Sequence, residues 1–206
     1  MPSATEIFSA MYGRNDWING SGEGSSPDNT IEYRRYLQAF LRERRIRTVV
    51  DMGCGDWQFS TLIDWSGIQY LGMDVVPEII ERNRTLFGSP TVTFALSEGV
   101  DQELPCADLL ILKDVLQHWP NADILSFLPR LQQCRYALIT DCTEPAVNTD
   151  CPLGGFRGLD PQAAPFFLPC EKVLEYEWRS DHHGRSFKKA TFLHAPPQTI
   201  TCDRDT

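Results

Sequence analysis

Residues 49–57 read VVDMGCGDW, a short apolar run that reaches an acidic residue, Asp51, and continues into a Gly-x-Gly turn at Gly53 and Gly55. An apolar run of this length is typical of a buried parallel strand. The two glycines allow a sharp turn and let a ligand approach the backbone closely. A strand followed by such a turn presents backbone N–H groups at the carboxyl edge of a parallel sheet, where nucleotide-like ligands bind. The stretch therefore predicts an α/β fold with a ligand site after its first strand.

Outward from this stretch, apolar runs of strand length alternate with helical patterns. A helix capped by Asp28 or Asn29 is predicted before the first strand, because apolar residues recur there at helical spacing. The alternation predicts right-handed crossovers and a mostly parallel sheet covered by helices on both faces, closed by an antiparallel hairpin. The predicted helices cover 31–41, 77–87 and 122–131, with a shorter helical stretch around Phe59, and the predicted strands cover 48–51, 69–75, 92–95, 107–112, 136–140, 172–178 and 186–193.

Composition limits the class of protein. A chain of 206 residues, 42% of them hydrophobic, predicts one domain over residues 1–206. The formal charge of −9 argues against nucleic acid or an anionic membrane as partner. The chain lacks both an apolar run of about 20 residues and a basic N-terminal region, so we predict a cytoplasmic protein. Its seven cysteines contain no CxxC pair, so we expect neither a metal site nor a disulfide framework.

A second acidic residue, Asp74, ends the second predicted strand. It follows Asp51 by about one strand-helix-strand spacing, and an acid at this position can accept hydrogen bonds from both hydroxyls of a ribose. A Gly-x-Gly turn alone is a weak signal. Together with the two acids and the strand order, it predicts a ribose-containing ligand.

At these residues the chain resembles the class I S-adenosylmethionine-dependent methyltransferase family. DMGCGD at 51–56 is similar to the family's glycine-rich motif, GMD at 72–74 to its ribose-binding acid, and LPCADLLILKDVLQHWP at 104–120 to the segment from the adenine loop through the fourth strand. The resemblance covers residues 47–140. It implies a Rossmann-like, doubly wound, mostly parallel seven-stranded sheet with a closing antiparallel hairpin. It also implies S-adenosyl-L-methionine as cofactor and S-adenosyl-L-homocysteine as product.

The resemblance also implies where the cofactor binds. The first acid and the glycines would hold the methionyl part, Asp74 the ribose, and residues 96–100 the adenine, while residues 113–119 would line the sulfonium side. The cofactor-binding residues expected in this way, together with two from the N-terminal segment, are Asp51, Gly53, Cys54, Gly55, Trp57, Asp74, Val75, Leu96, Ser97, Lys113, Asp114, Trp17 and Gly22.

One position departs from the family pattern. Trp57 stands where many members carry a third glycine, and its ring would pack either on the cofactor or on the first helix after the turn. The main competing hypothesis, a nicotinamide-dependent dehydrogenase, needs a third glycine where this chain has Gln58. The charge of Asp51 would also repel a diphosphate, whereas the methionyl end of S-adenosylmethionine is cationic.

The N-terminal segment has two interpretations. The first 30 residues are rich in Gly, Ser, Asn and Asp, a composition that resists regular structure. Residues 1–28 either form a lid, in which backbone donors reach the cofactor and Trp17 or Tyr12 covers the adenosine, or they are a mobile terminus. The aromatic residues that flank the glycines favour the lid.

Candidate catalytic residues follow the fourth strand. Methyl transfer needs an aligned nucleophile and, for a hydroxyl or ammonium acceptor, removal of a proton. His118, Asp114 and Lys113 stand where such groups are required, and the ordinary pKa of histidine is the nearest to neutrality. The alternative for His118 is a histidine at a helix start that is hydrogen-bonded to the backbone.

Candidate acceptor-binding residues follow the fifth strand. Asp141 and Glu144 either bind a cationic or polyhydroxylated acceptor or cap the next loop. The Pro/Gly-rich residues 143–170 are predicted to form a substrate loop. In this loop Arg157 would pair with an acidic group of the acceptor, and Phe166 would either shape the pocket or pack in the core.

The sequence thus predicts an enzyme that methylates an oxygen or nitrogen of a small-molecule acceptor, such as a sugar or a secondary metabolite. A non-catalytic S-adenosylmethionine-binding protein and a methyltransferase for protein or peptide side chains are the alternatives. A monomer or homodimer is expected, without a nucleic-acid or membrane partner. His182 and His183 are adjacent in a predicted turn without a third ligand, so no metal is expected there.

Overall fold

The computed structural model describes residues 2–144 and 147–196. Three parts of the predictions lie outside the described residues: Met1 of the predicted lid, residues 145–146 of the predicted substrate loop, and residues 197–206 of the predicted domain, which include Cys202. Within the two described ranges, no helix has the length and apolar character needed to cross a membrane.

One seven-stranded sheet organises the molecule. The strand order is β3-β2-β1-β4-β5-β7-β6, in which β1 to β5 pair in parallel and β7 pairs antiparallel to both β5 and β6. This arrangement confirms the predicted Rossmann-like α/β sheet and its closing hairpin. The strands are β1 (Thr48–Met52), β2 (Gln69–Asp74), β3 (Val92–Leu96), β4 (Ala107–Lys113), β5 (Cys134–Cys142), β6 (Glu171–Ser180) and β7 (Arg185–His194).

The helices correct several boundaries predicted from the sequence. The helix after β2 spans the predicted residues, but the stretch around Phe59 is a 3₁₀ turn, Phe59–Leu62. The predicted helix 122–131 is shorter and continues as a 3₁₀ turn, Leu128–Gln133, which carries Pro129 near its start. The helices are α1 (Ala4–Arg14), α2 (Ile31–Glu43), α3 (Pro77–Phe87) and α4 (Asn121–Phe127).

Helix α1 overturns the expectation that the first 30 residues resist regular structure. The Ser3 side chain accepts the Glu6 N–H, and the Glu6 carboxylate accepts the Ser3 N–H at 2.7 Å, so the helix begins with a capping box. The Ser-x-x-Glu signature of this capping box is visible in the sequence. The prediction missed the helix because it followed the glycine-rich composition of the residues that come after it.

The predicted cap of α2 is also wrong. Thr30 occupies the N-cap position, after a 3₁₀ turn at Asp28–Thr30. The side-chain amide nitrogen of Asn29 instead donates to the backbone carbonyls of Glu23 and Arg179 at 2.9 and 2.8 Å. Asn29 therefore ties the N-terminal segment to β6 rather than capping a helix.

Hydrophobic clusters cover both faces of the sheet. One cluster packs α2 and α3 against it, and the other packs α4 and the 143–170 segment against the opposite face. Trp57 belongs to the first cluster, where its ring lies 4.9 Å from that of Phe87 and 5.5 Å from that of Phe94. The two apolar layers leave the carboxyl edge of β1, β2 and β4 as the edge where polar side chains gather.

Candidate active site

A cavity of about 890 Å³ opens at the carboxyl edge of the parallel strands. Its wall combines the turn after β1, the ends of β2 and β4, and the segment after β3 with parts distant in sequence. Those parts are α1 and the following residues 16–25, residues 153–156, and the hairpin of β6 and β7. The parallel strands therefore form one side of the cavity, and the N-terminal segment and the hairpin of β6 and β7 contribute the rest of its wall.

The Gly-x-Gly turn is shaped by its glycines. Gly53 and Gly55 have φ values of 76° and 54°, which side-chain-bearing residues rarely adopt. A Cβ atom on Gly53 would collide with Val115, and one on Gly55 would collide with the Ser21 hydroxyl. Burial raises the pKa of the Cys54 thiol well above its usual value, so Cys54 is a neutral spacer in this turn.

Two buried acids flank the turn. The Asp74 carboxylate accepts the Gly55 N–H at 3.0 Å and the Val76 N–H at 3.1 Å, which aims it along the end of β2. Asp51 accepts the Tyr70 hydroxyl at 2.6 Å. Burial raises the pKa of each carboxyl to about 6. Both acids line the cavity, so they are placed to accept hydrogen bonds from a ligand that enters it.

A buried cluster of charges lies at the end of β4. The Asp114 carboxylate meets the Lys113 ammonium at 2.6 Å and the Lys189 ammonium at 2.5 Å, and both lysines also donate to the Gly24 carbonyl. Burial would raise the pKa of Asp114, but the two cations outweigh it and hold this pKa at about 2. Burial lowers the pKa of Lys113 to about 8, whereas for Lys189 the attraction of Asp114 outweighs burial and raises the pKa.

His118 lies beside this cluster with its two ring nitrogens in different roles. Its Nδ1 is 2.7 Å from the Gly155 carbonyl, which can only accept, so Nδ1 carries the proton. The side-chain oxygen Oε1 of Gln117 accepts the Cys142 N–H at 2.9 Å, so the side-chain nitrogen of Gln117 faces Nε2 of His118 at the long distance of 3.3 Å. Burial lowers the pKa of His118. The imidazole is therefore neutral near pH 7, with its basic nitrogen at Nε2.

Most of the predicted cofactor residues line this one cavity. Leu96 is the exception, since it is half exposed and lies outside the cavity wall. The cavity brings together Asp51, Gly53, Cys54, Gly55, Trp57, Asp74, Val75, Ser97, Lys113, Asp114, Trp17 and Gly22, along with His118.

The four predicted acceptor residues lie away from the cavity wall. Asp141 is buried and accepts the Gln117 N–H at 3.2 Å, while Glu144 forms an ion pair with Lys188 at 3.7 Å. Arg157 is buried and donates to the carbonyls of Leu116 and Gln117. Phe166 packs in the core. Asp141, Glu144 and Arg157 are thus engaged with the protein itself, and for Phe166 the contacts favour packing in the core over shaping the pocket.

Several residues of the wall escaped sequence reasoning, and Lys189 is the most prominent. It lies between Phe187 and Thr191 on the inward-facing register of β7, and all three are buried. A lysine at an inward position of an otherwise apolar alternation is the signal that would have identified it. Among the described residues, no group of three His, Cys, Asp or Glu side chains is arranged to hold a metal ion.

The sheet order, the Gly-x-Gly turn and the acid at the end of β2 together define a methyltransferase of the Rossmann-like class. The chain belongs to the O-methyltransferase domain family, whose profile matches residues 3–141. This confirms the predicted class I S-adenosylmethionine-dependent methyltransferase. Sequence comparison with curated proteins yields no match.

Solved structures with the same fold are distant in sequence. The 1,6-didemethyltoxoflavin-N1-methyltransferase of Burkholderia thailandensis matches 93% of this chain and 87% of its own at 14% identity, with a TM-score of 0.64. The N-methyltransferase NodS of Bradyrhizobium japonicum matches 95% and 100% at 11% identity, with a TM-score of 0.63. Magnesium protoporphyrin IX methyltransferase of Synechocystis matches 95% and 99% at 14% identity, with a TM-score of 0.60. At these identities the likeness shows the fold alone.

Proposed function

We propose that this protein transfers the methyl group of S-adenosyl-L-methionine to an oxygen or nitrogen of a small-molecule acceptor and releases S-adenosyl-L-homocysteine. The supporting observation is the continuity of one cavity from Asp51, Gly53 and Asp74 to Lys113 and His118. We call the part of the cavity at Asp51, Gly53 and Asp74 its first end and the part at Lys113 and His118 its second end. A non-catalytic binding protein would need the first end only. The family description favours an oxygen acceptor, and the three similar structures were crystallised with S-adenosylmethionine or S-adenosylhomocysteine.

The side chains at the first end suit this cofactor. Asp74 is a buried acceptor at a strand end and would hold the ribose hydroxyls, and Asp51 would attract the methionyl ammonium. Val75 and Ser97 line the same cavity, and we assign them to the adenine. The bound cofactor would supply a methyl group on a sulfonium, which is already an activated electrophile.

The second end provides groups for the acceptor. His118 would take the proton of the acceptor through Nε2, because the long hydrogen bond from Gln117 is readily replaced by one from the acceptor hydroxyl. Asp114 and Lys113 would position the acceptor through their fixed charges. The neutral state of His118 near pH 7 favours this role.

We also propose that residues 1–206 act as one methyltransferase domain in which residues 1–28 form a lid and residues 143–170 shape the acceptor side. The Ser21 hydroxyl lies 2.7 Å from the Tyr12 hydroxyl and accepts the Asp56 N–H at 2.8 Å, which joins the N-terminal segment to the Gly-x-Gly turn. The Trp17 ring packs 5.7 Å from that of His118. Of the two interpretations of this segment, these contacts favour the lid rather than the mobile terminus.

The lid hypothesis predicts coupling between this segment and the cofactor. S-adenosylhomocysteine is expected to slow amide hydrogen exchange across residues 3–25, and Ser21→Ala to accelerate it by about tenfold, because two hydrogen bonds are lost. Mass spectrometry of the exchanged peptides measures both effects. Ser126→Ala, which removes a hydroxyl on α4 away from the cavity, serves as the control. Exchange that is indifferent to the cofactor would instead support the mobile terminus.

Calorimetric titration with S-adenosylhomocysteine and with NADH tests the proposed function itself. We expect S-adenosylhomocysteine to bind and NADH to show no heat of binding, since Asp51 disfavours a diphosphate beside the turn. Binding of NADH alone, or of neither ligand, would contradict the proposal.

A further inference from the structure

The side-chain amide of Gln117 lies against the basic nitrogen of His118. Gln117 is 4% exposed and lines the cavity beside His118. Its backbone is fixed on both sides, because its N–H donates to Oδ1 of Asp141 at 3.2 Å and its carbonyl accepts the Arg157 guanidinium at 3.0 Å. The turn that carries His118 is therefore anchored through Gln117 to β5 and to the segment that contains Arg157.

A backbone group fixes which atom of the amide faces the ring. The Cys142 N–H can only donate, so it takes Oε1 of Gln117 as its acceptor at 2.9 Å. The amide nitrogen, which can only donate, then faces Nε2 of His118 at 3.3 Å. Across the ring, Nδ1 donates to the Gly155 carbonyl at 2.7 Å. Three hydrogen bonds thus run in one direction, from the Cys142 N–H through Gln117 and His118 to the Gly155 carbonyl.

This direction opposes a proton on Nε2 of His118. A protonated Nε2 would face the hydrogens of the Gln117 amide, and two donors form no hydrogen bond with each other. Rotation of the amide would bring its oxygen to the ring, but it would set the amide hydrogens against the Cys142 N–H. Protonation of His118 therefore costs a hydrogen bond at one side of the amide or the other, in a buried site where an unpaired donor is expensive.

Charged groups from three other parts of the chain also act on His118. Burial is the main cause that lowers the pKa of His118, and the Gly155 carbonyl and Asp114 at the end of β4 oppose it. Lys189 on β7 and Arg157 lower this pKa further. These charges act at a distance. Within the described residues, the Gln117 amide is the one hydrogen-bond partner of Nε2.

The remaining groups around Gln117 and His118 add no acceptor for a proton on Nε2. The ring of Trp17 from the lid lies 5.7 Å from that of His118, and the ring of Phe156 lies 6.0 Å from it. On β5, behind Gln117, burial raises the pKa of Asp141 well above its usual value and that of the Cys142 thiol to about 11, so burial disfavours charge on both groups. The amide of Gln117 therefore decides the hydrogen bonding at Nε2.

We propose that Gln117 is a positioning residue for the general base, whose amide keeps Nε2 of His118 unprotonated until the hydroxyl of the acceptor takes its place. This inference rests on the proposed function, which assigns His118 as the base, and it adds the residue that prepares that base. The contact between the amide and Nε2 is long, so a hydroxyl at a shorter distance can replace it.

Titration of His118 by nuclear magnetic resonance tests this inference without an acceptor. The nitrogen signals of the imidazole are followed against pH in the unaltered protein and in Gln117→Met, whose side chain has a similar length and no donor. His118→Ala identifies the signals by their absence. We expect the midpoint of His118 in Gln117→Met to rise by about half a pH unit or more, because a hydrogen bond donated to the neutral ring is lost. Gln117→Glu keeps an acceptor for the Cys142 N–H and offers Nε2 an anionic acceptor, so its midpoint should rise further, by about one pH unit or more.

Gln38→Met is the matched control. The side chain of Gln38 on α2 also accepts a backbone N–H, at 2.8 Å, and donates to a backbone carbonyl, both belonging to Asp64, and it lies outside the cavity wall. The midpoint of His118 should be the same in this variant as in the unaltered protein.

The outcomes separate this inference from the proposed function. An unchanged or lowered midpoint in Gln117→Met overturns the inference even where Gln117→Glu raises the midpoint, because charge alone would then be responsible. If Gln117→Met fails to melt cooperatively, Gln117→Glu decides, and a midpoint that does not rise there overturns the inference. Failure of the unaltered protein to bind S-adenosylhomocysteine would instead sink the proposed function, and the titrations would still report on the contact between Gln117 and His118.

Discussion

Replacement of Asp74 by alanine is expected to weaken the binding of S-adenosylhomocysteine by about 100-fold or more, since two charge-assisted hydrogen bonds to a ribose would be lost. Asp74 is 7% exposed, and its carboxylate is oriented by the Gly55 and Val76 N–H groups. The alanine variant also leaves these two N–H groups without their partner at the turn that carries the cofactor. Calorimetric titration of the purified variant measures the effect.

The Asp74 experiment has two useful comparisons. Asp74→Asn keeps a side-chain oxygen for one backbone N–H and loses the charge, so its affinity should fall between those of the alanine variant and the unaltered protein. Glu78→Ala removes an exposed carboxylate four positions later on α3 and should leave the affinity unchanged. An Asp74→Ala variant that melts cooperatively and binds the product normally would refute the assignment of Asp74 to the ribose.

The second large effect is expected from His118→Ala, which should lower kcat by about 100-fold because general-base assistance is lost. Affinity for S-adenosylhomocysteine should stay within the error of the measurement. Release of S-adenosylhomocysteine in the presence of an acceptor selected by screening phenols, alcohols and amines provides the rate. His194→Gln is a matched control, because His194 also places Nδ1 2.7 Å from a backbone carbonyl, that of Pro169, but lies outside the cavity wall.

The pH dependence of kcat separates a base from a structural histidine. Burial lowers the pKa of His118, so the neutral imidazole persists to a lower pH than in an exposed histidine. The kcat of the unaltered enzyme should therefore be sustained below the usual range of histidine and decline only as the pH falls through this lowered pKa. In His118→Ala that acidic decline should vanish. A variant that keeps the same acidic limb at a reduced rate would show that another group titrates.

Local sequence signals predicted the parallel half of the sheet well. The strand before Gly53 and the helix that begins at Pro77 depend on an apolar run, a glycine turn and the fixed φ of proline, all of which act within a few residues. The same local logic places Asp51 and Asp74 at the carboxyl edge, because parallel strands align their ends. The start of α1 also depends on a local signal, the capping box of Ser3 and Glu6, which can be recognised in the sequence.

The acceptor side followed from contacts that no local pattern contains. Arg157 suits an anionic ligand by residue type, yet the fold buries it against the carbonyls of Leu116 and Gln117. Lys189 meets Asp114 only because β7 pairs with β5, in a register that sets Lys189 opposite Cys142. Gly24 reaches both lysines because Glu23, which accepts the Ser180 hydroxyl, and Asn29, which donates to the Arg179 carbonyl, hold the N-terminal segment against β6.

The sequence by itself thus determined the class of fold and the edge at which Asp51 and Asp74 lie, since a Gly-x-Gly turn between a strand and an acid restricts the backbone within a single crossover unit. The kind of reaction came from the resemblance of the same residues to the methyltransferase family. The tertiary structure alone decided which charged side chains line the cavity and where Lys113, Lys189 and Asp114 meet. It also decided that Arg157 is buried outside the cavity wall. These outcomes depend on pairing between segments 75 positions apart, as in the contact of Lys189 with Asp114. The energy of a buried charge is set by the groups that surround it in space, whatever their separation along the chain.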